Sequence, residues 1–308
     1  MTTDTLRTET PASARGSASE PVRSPRSRRE WSPFIPRRYA VIAVLPAVVL
    51  LAVFAIYPLV LLAIESSADG FEAYGRVLAS GSGQRAIITT FTASLIATVI
   101  VVFVSGVLGW TIRTTKHRWL RLLCWACVLA PFWMGAVVKN YAIVLLISND
   151  GVVNAALRAL GLDPVQLMYT TPAVVLGIAY SLVPFGVLTV NAVFQTIDLN
   201  LLRNAEVLGS TRSGAITRVM LPLATPGFIA SGAVVFALAV GFYVTPVVLG
   251  GAQSPFLATL IQANILQYFD YPAAAALSVI LLVVALLVMG ITLAVVGAGS
   301  VRRAIARS

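Results

Sequence analysis

The sequence predicts an all-α integral membrane protein with six transmembrane helices, and three observations lead there. Of 308 residues, 58% are hydrophobic and only 11% charged, a balance too apolar for a water-soluble globular chain. The apolar residues are gathered into runs: 39–64, 86–112, 164–197, 219–269 and 271–301 hold no Asp, Glu, Lys or Arg, and such lengths belong in lipid. The basic residues fall in alternate connections, as orientation in a membrane requires. A soluble enzyme is excluded on this composition. The formal charge of +10 is explained by orientation rather than by nucleic-acid binding.

Residues 1–38 are rich in Ser, Pro, Thr and Arg, with eight Arg against four acids. They read as a disordered cytoplasmic tail and solvated orientation signal; an Arg-rich arm for a lipid surface or a partner is the alternative. The run that follows, Tyr39 to Ile64, has 26 residues, whereas a cleaved apolar region has about 7–15. It is therefore a retained first span. With about 20 apolar residues needed per crossing, the spans fall near 39–64, 86–112, 120–147, 172–194, 227–249 and 273–298. The run 219–269 is too long for one helix and is interrupted by Pro246, Gly250, Gly251 and Pro255. Its remainder, Phe256 to Phe269, carries Gln262, Asn264 and Gln267 and predicts a surface or re-entrant helix. Residues 39–300 thus form the six-span domain, and 301–308 a short C-terminal tail.

Eighteen of the 22 basic residues lie in the N-terminal tail, the loop 113–121, the loop 195–226 and the C-terminus. This puts both termini in the cytoplasm. The opposite side holds Arg76, Arg85, Lys139 and Arg158 against six acids, a net charge of −2.

One connection is unusual for its length. The 32 residues from Gln195 to Pro226 form a polar cytoplasmic insert between spans four and five. Leu201, Leu202, Ala205 and Leu208 fall on one helical face, and Gly209 permits a sharp turn before a second short helix. This segment resembles the signature loop of ABC importer permeases, E-A-A-x3-G-x9-I-x-L-P. Alignment on Gly209 puts Val219 at the Ile position and Leu221-Pro222 in register, while Arg203-Asn204-Ala205 replaces Glu-Ala-Ala and the nearest acid, Glu206, comes three positions late. Two further stretches look like the spermidine/putrescine permease branch: Pro131-Phe-Trp-Met-Gly-Ala-Val-Val-Lys139-Asn140-Tyr141-Ala142, and Gly241-Phe-Tyr-Val-Thr-Pro246-Val-Val-Leu-Gly250-Gly251.

The resemblance implies a type I ABC importer permease fold in the bacterial plasma (inner) membrane. It implies ATP-driven import of polyamines or a related small polar solute. The expected partners are a cytoplasmic ABC ATPase dimer, a second permease subunit and an extracytoplasmic solute-binding protein. The two helices of the loop would sit in a groove of the ATPase and transmit its closure. No cofactor is expected on this chain, since ATP and Mg belong to the ATPase and no Walker-type glycine loop occurs here. A secondary transporter or channel subunit is the alternative. A secondary transporter needs coupling carboxylates or broken helices at the midplane, and no predicted span contains Asp or Glu. A merely structural or regulatory membrane protein predicts no ordered docking loop.

Lys139 is the one charged residue in the interior of a predicted span. It either snorkels at the outer surface, if the third span ends at Val138, or faces the solute route. A fixed cation opposes a polyamine, which makes a solute with an anionic group the alternative. Tyr141, Tyr180, Asn191, Phe242 and Tyr243 could line that route, aromatics being able to hold a cation over their faces. Equally, they could pack or anchor at interfaces. Gly106 with Gly109, and Gly227 with Ser231 and Gly232, are expected to let helices approach closely. Cys124 and Cys127 lie inside an apolar run and read as helix packing. The single His117 has no carboxylate nearby and no metal-ligand company.

Overall fold

The computed structural model describes residues 37–251 and 254–305. The predicted tail up to Pro36, and residues 306–308, lie outside the described residues. The chain divides after Ala55 into two units. The first contributes the beginning of helix α1 (Arg37–Ser66) and the second holds everything that follows.

The second unit continues with α2 (Glu72–Ala79), α3 (Gly81–Thr114), α4 (Arg118–Trp133), α5 (Ala136–Ile147), α6 (Val152–Ala159) and α7 (Thr171–Thr196). Next come α8 (Asn200–Val207), α9 (Arg212–Ala215), α10 (Leu221–Val240), α11 (Leu257–Ala263) and α12 (Tyr271–Ile305). π-helical turns at Ile216–Met220, Pro246–Gly250 and Asn264–Tyr268 join or extend several of these. Six helical stretches are long and apolar enough to cross a membrane. By length and apolarity alone, Ala136–Ala159 would be one of them. It is interrupted, however, at Ser148–Gly151, and Asn154 of α6 donates back to the Ser148 carbonyl at 3.1 Å, so α6 folds over the end of α5. Its Asp150 and Arg158 also pair with each other at 3.4 Å. The third crossing is therefore α4 with α5, broken at Met134–Gly135 just after Pro131.

Two sets of polar contacts fix which connections share an end of the bundle. Arg76 pairs with Asp69 at 2.8 Å and with Asp270 at 3.0 Å, joining the turn after α1 to the turn before α12. At the other end, Arg113 donates to the Gln195 side chain at 3.1 Å and to the Ile197 carbonyl at 3.3 Å, joining the ends of α3 and α7. The alternation that the charges predict for these four connections is the one the packing shows.

The core lies where α3, α7 and α10 meet. Ala93, Ala97 and Val101 of α3 face Val174, Ile178 and Leu182 of α7 and Val235 and Ala239 of α10, with Ile143 and Ile147 of α5 closing one side. Small residues set the spacing. Gly106 lies under Phe228, Gly109 under Phe194 and Gly227 under Val193, each so close that a Cβ would come within 3.2 Å or less. Ser231 is buried and donates to the Gly186 carbonyl at 3.3 Å, while a Cβ on Gly232 would make only ordinary contact, 3.8 Å from Val102 and 3.9 Å from Thr98, so it is not a close-approach position. Cys124 packs beside Ile112, Val128 and Val187, and Cys127 is exposed.

Several predicted boundaries move. The third span is two helices, because the chain leaves the α region at Met134 and Gly135, three residues after Pro131. The fifth span ends at Val240 rather than 249, since α10 begins at Leu221 and Gly241–Tyr243 break it before the turn at Pro246. The first span runs on to Ser66 and takes in Glu65. The last runs on to Ile305, into the predicted C-terminal tail. The segment from Phe256 forms α11 and its π extension, anchored by the Leu257 N–H donating to Thr90 Oγ1 at 2.8 Å.

Candidate functional site

The insert between α7 and α10 folds as two short helices around Gly209. Asp198 accepts from the Asn200 N–H at 2.9 Å and starts α8. At the other end of α8, the Gly209 N–H reaches the Glu206 carbonyl and the Ser210 N–H the Ala205 carbonyl, both at 3.0 Å. This pair of bonds closes a helix through a residue of left-handed conformation, and Gly209 has φ +89°. Thr211 then caps α9, accepting from the Gly214 N–H at 3.1 Å. From Arg212 the helical path continues through the π turn at Ile216–Met220 into α10. The insert therefore ends at Met220 rather than Pro226. Val219 lies in the π turn, and Leu221 and Pro222 sit in the first turn of α10.

The inward face of this segment is apolar. Leu202, Ala215, Met220 and Ala224 are buried against Val190, Phe194 and Ile197 of α7, with Ala205 and Trp110 beside them. The outward face is a mixture of charge and exposed aliphatic groups. Arg203, Asn204 and Glu206 are exposed, and Arg203 donates only to the Asn200 side chain, at 3.3 Å. Val207 and Leu208 are 86% and 88% exposed. The expected single face of Leu201, Leu202, Ala205 and Leu208 is thus divided. The closing turn swings Leu208 outward beside Val207, leaving Leu202 and Ala205 to hold α8 to the bundle.

The candidate route residues do not form one set. Asn140, which the sequence reading passed over, is fully buried, and its Oδ1 accepts from Thr245 Oγ1 at 2.9 Å while its Nδ2 donates to the Ala136 carbonyl at 2.9 Å. This buried pair ties the break in the third crossing to the break after α10. Lys139, Tyr141 and Tyr243 lie within two residues of it. Tyr180 of α7 reaches back to Met134 at the break, its hydroxyl 3.9 Å from the sulfur. Phe242 packs against the core cluster. Asn191 is elsewhere: it lies fourteen residues beyond Gly177, whose backbone abuts Thr245. At 1.5 Å per residue that is about 21 Å along α7. A polar residue inside an apolar crossing was the signal available for Asn140.

Lys139 is half-buried in the first turn of α5. α5 continues through the apolar residues Ala142–Ile147 before Ser148 ends it. Lys139 is therefore eight residues, or about 12 Å along the axis, from that end, and the helix does not end at Val138. Among the described residues Lys139 makes no ion pair and no side-chain hydrogen bond. A charge within the hydrocarbon core costs about 2.5–3.5 kcal/mol on insertion scales, and peptide groups freed there, as at Met134–Gly135, need polar partners.

Comparison with known proteins adds kinship to this geometry. The chain is 29% identical over 200 residues to the spermidine/putrescine transport system permease protein PotB of Escherichia coli (strain K12), a match covering 64% of this chain and 72% of the relative. The chain is a homologue of ABC transporter permeases. Among other such relatives, the inner membrane ABC transporter permease protein YdcU of Escherichia coli (strain K12) is 26% identical over 218 residues, 67% of this permease and 69% of the relative. The sulfate transport system permease protein CysT of Salmonella typhimurium is 27% identical over 210 residues, 66% of this permease and 74% of that one. The fold is that of a chain in the crystal structure of a bacterial alginate ABC transporter in complex with an alginate pentasaccharide-bound periplasmic protein. There the TM-score is 0.70 at 24% identity, over 83% of this permease and 93% of that chain. No family model matches. The permease is a component of a membrane transporter rather than a catalytic protein.

Proposed function

We propose that this permease is one transmembrane subunit of an ATP-driven importer for a small polar solute, working in the bacterial plasma membrane with both termini cytoplasmic. The observation that carries the proposal is the exposed Val207-Leu208 tip at the Gly209 turn, on a segment held to α7 and continuous with α10. Two exposed aliphatic side chains at a polar, basic end of a membrane protein are a docking surface in need of a partner. Their register within the loop resemblance names that partner as a cytoplasmic ABC ATPase dimer. A second permease subunit and an extracytoplasmic solute-binding protein complete the complex, as the periplasmic protein does in the alginate transporter. ATP and Mg are held by the ATPase.

The relatives suggest polyamines first and sulfate at lower identity. A secondary transporter gains one point from the broken third crossing. It lacks the coupling group, because Glu65 in the last turn of α1 is the only carboxylate in the described spanning helices.

Two measurements test the proposal. Reporters fused after residues 115 and 210 should report the cytoplasm, and those near 78, 155 and 258 the outside; a cytoplasmic signal at 155 would overturn the orientation. Uptake by vesicles holding the purified complex should require ATP. Uptake that persists without ATP and collapses with the proton gradient would assign the chain to secondary transport instead.

A further inference from the structure

We infer that Arg113 is a positioning residue for energy coupling, which draws α3 along when the ATPase moves the cytoplasmic insert; the inference rests on the importer assignment above. The insert is continuous with α7 before it and with α10 after it, so both helices follow it through the backbone. α3 has no such link, although it lines the core beside them. Its tie to the insert is made by side chains at one place. Arg113, one residue before the end of α3, donates from Nη1 to Gln195 Oε1 at 3.1 Å and from Nη2 to the Ile197 carbonyl at 3.3 Å. Gln195 is in the last turn of α7, and Ile197 is the residue at which the chain leaves that helix for the insert. Carbonyls at a helix C-terminus have no ladder partner of their own, and the helix dipole favours a cation beside them. Nε of the same guanidinium is buried with no partner among the described residues, so the group is clasped in the joint and does not stand free in solvent.

Packing at the same place does not replace these bonds. Phe194 of α7 stands edge-on to Trp110 of α3, with 6.4 Å between ring centres, and to Phe228 of α10 at 5.9 Å, and Gly109 lets α3 come up against it. The three rings share a cluster with Leu202 and Met220, so a push from the insert reaches α3 through them. A pull is different. Dispersion contacts between apolar faces are non-directional, and a radial gap of about 0.5–1 Å already forfeits a quarter to a half of their attraction. Two bonds from one planar, pre-organised fork fix direction as well as distance. Arg113 therefore keeps the end of α3 in register with the start of the insert when the docked ATPase draws or turns it.

The joint can be read directly, without choosing a solute. Thr115→Cys at the end of α3 and Thr217→Cys in the π turn carry spin labels in the purified complex, with Cys124→Ala and Cys127→Ala in the same chain. Their separation is measured without nucleotide and again with ATP and vanadate. With Arg113 in place the two separations should agree. In Arg113→Leu, which keeps apolar bulk and loses the fork, ATP and vanadate should change the separation by about 2 Å or more, the scale of a helix shift at an interface, while recovery of the ATPase stays at the wild-type level. Gln195→Ala removes one of the two bonds and should give a smaller change. Arg113→Lys keeps the charge that orients the chain but not the fork, and should correct the change only in part. A separation that already changes with Arg113 in place, one that is unchanged in Arg113→Leu, or one fully corrected by Arg113→Lys would overturn the inference while the importer stands. Loss of the ATPase from the Arg113→Leu complex would overturn it too, assigning the arginine to the folding of the docking surface. A wild-type complex that yields no ATPase at all would sink the importer assignment, and this inference with it.

Discussion

Replacing Gly209 by aspartate leaves the chain inserted in the membrane and ends both ATPase association and solute uptake. The magnitudes show why the loss belongs to the interface and not to folding. Gly209 holds φ +89° and has nothing within 4 Å of where its Cβ would be, so a side chain there meets no neighbour. Its cost is conformational, about 1–2 kcal/mol for an L residue in the left-handed region. That is too little to detach α8, which buries Leu202 and Ala205 against α7 and the end of α3. Docking is another matter. Val207 and Leu208 have almost all of their surface still to bury, worth about 1.5–3 kcal/mol each when fully covered. A carboxylate next to them would have to be desolvated at a cost of several kcal/mol unless a partner group pairs with it. Gly209→Ala separates the two contributions, because it bears the backbone cost without the charge; it should weaken ATPase recovery and not abolish it. Normal ATPase co-purification with the aspartate variant, together with normal uptake, would remove the coupling role from this loop.

The same residues show how much could be read before any coordinates. The six crossings were legible because runs free of charge outlast any soluble element. Gly209 was legible because a glycine between two short periodic segments has few other uses. The break in the third crossing was not foreseen, although Pro131 stands shortly before it, because a proline within an apolar run can kink a helix or end it. Which of these happens depends on the neighbours. Nor was the division of the Leu201–Leu208 face foreseen, since the closing turn at Gly209 rotates Leu208 away from the axis on which the helical count rests. The position of Lys139 along its helix follows from where α5 ends, at Ile147, and the sequence from Val137 onward left that end open. The Asn140–Thr245 bond joins positions 105 residues apart, and no periodicity could have paired them.

That bond carries the second large expected effect, and it can be tested by setting two substitutions against each other. Thr245 is fully buried; its hydroxyl donates to Asn140 Oδ1 at 2.9 Å and its methyl lies against Gly177. Thr245→Ser keeps the hydroxyl and loses the methyl, which should cost about 0.5–1.5 kcal/mol, as removing one buried methyl does. Thr245→Val keeps the shape, adds apolar surface and removes the donor, leaving Asn140 Oδ1 buried without a partner at about 1–3 kcal/mol. Apolarity alone therefore ranks valine above serine, and hydrogen bonding ranks serine above valine. We expect serine to win, with the valine variant melting below the serine variant in detergent. Uptake should fall furthest in the valine variant as well, because the pair is what holds the break after α10 against the break before α5. Interhelical hydrogen bonds in membranes average only about 0.6 kcal/mol, so a bond of ordinary worth would be overtaken by the apolar gain of valine. A valine variant that melts at or above the serine variant would show that the two breaks are held by packing around Gly177, and that the polar pair is incidental to it.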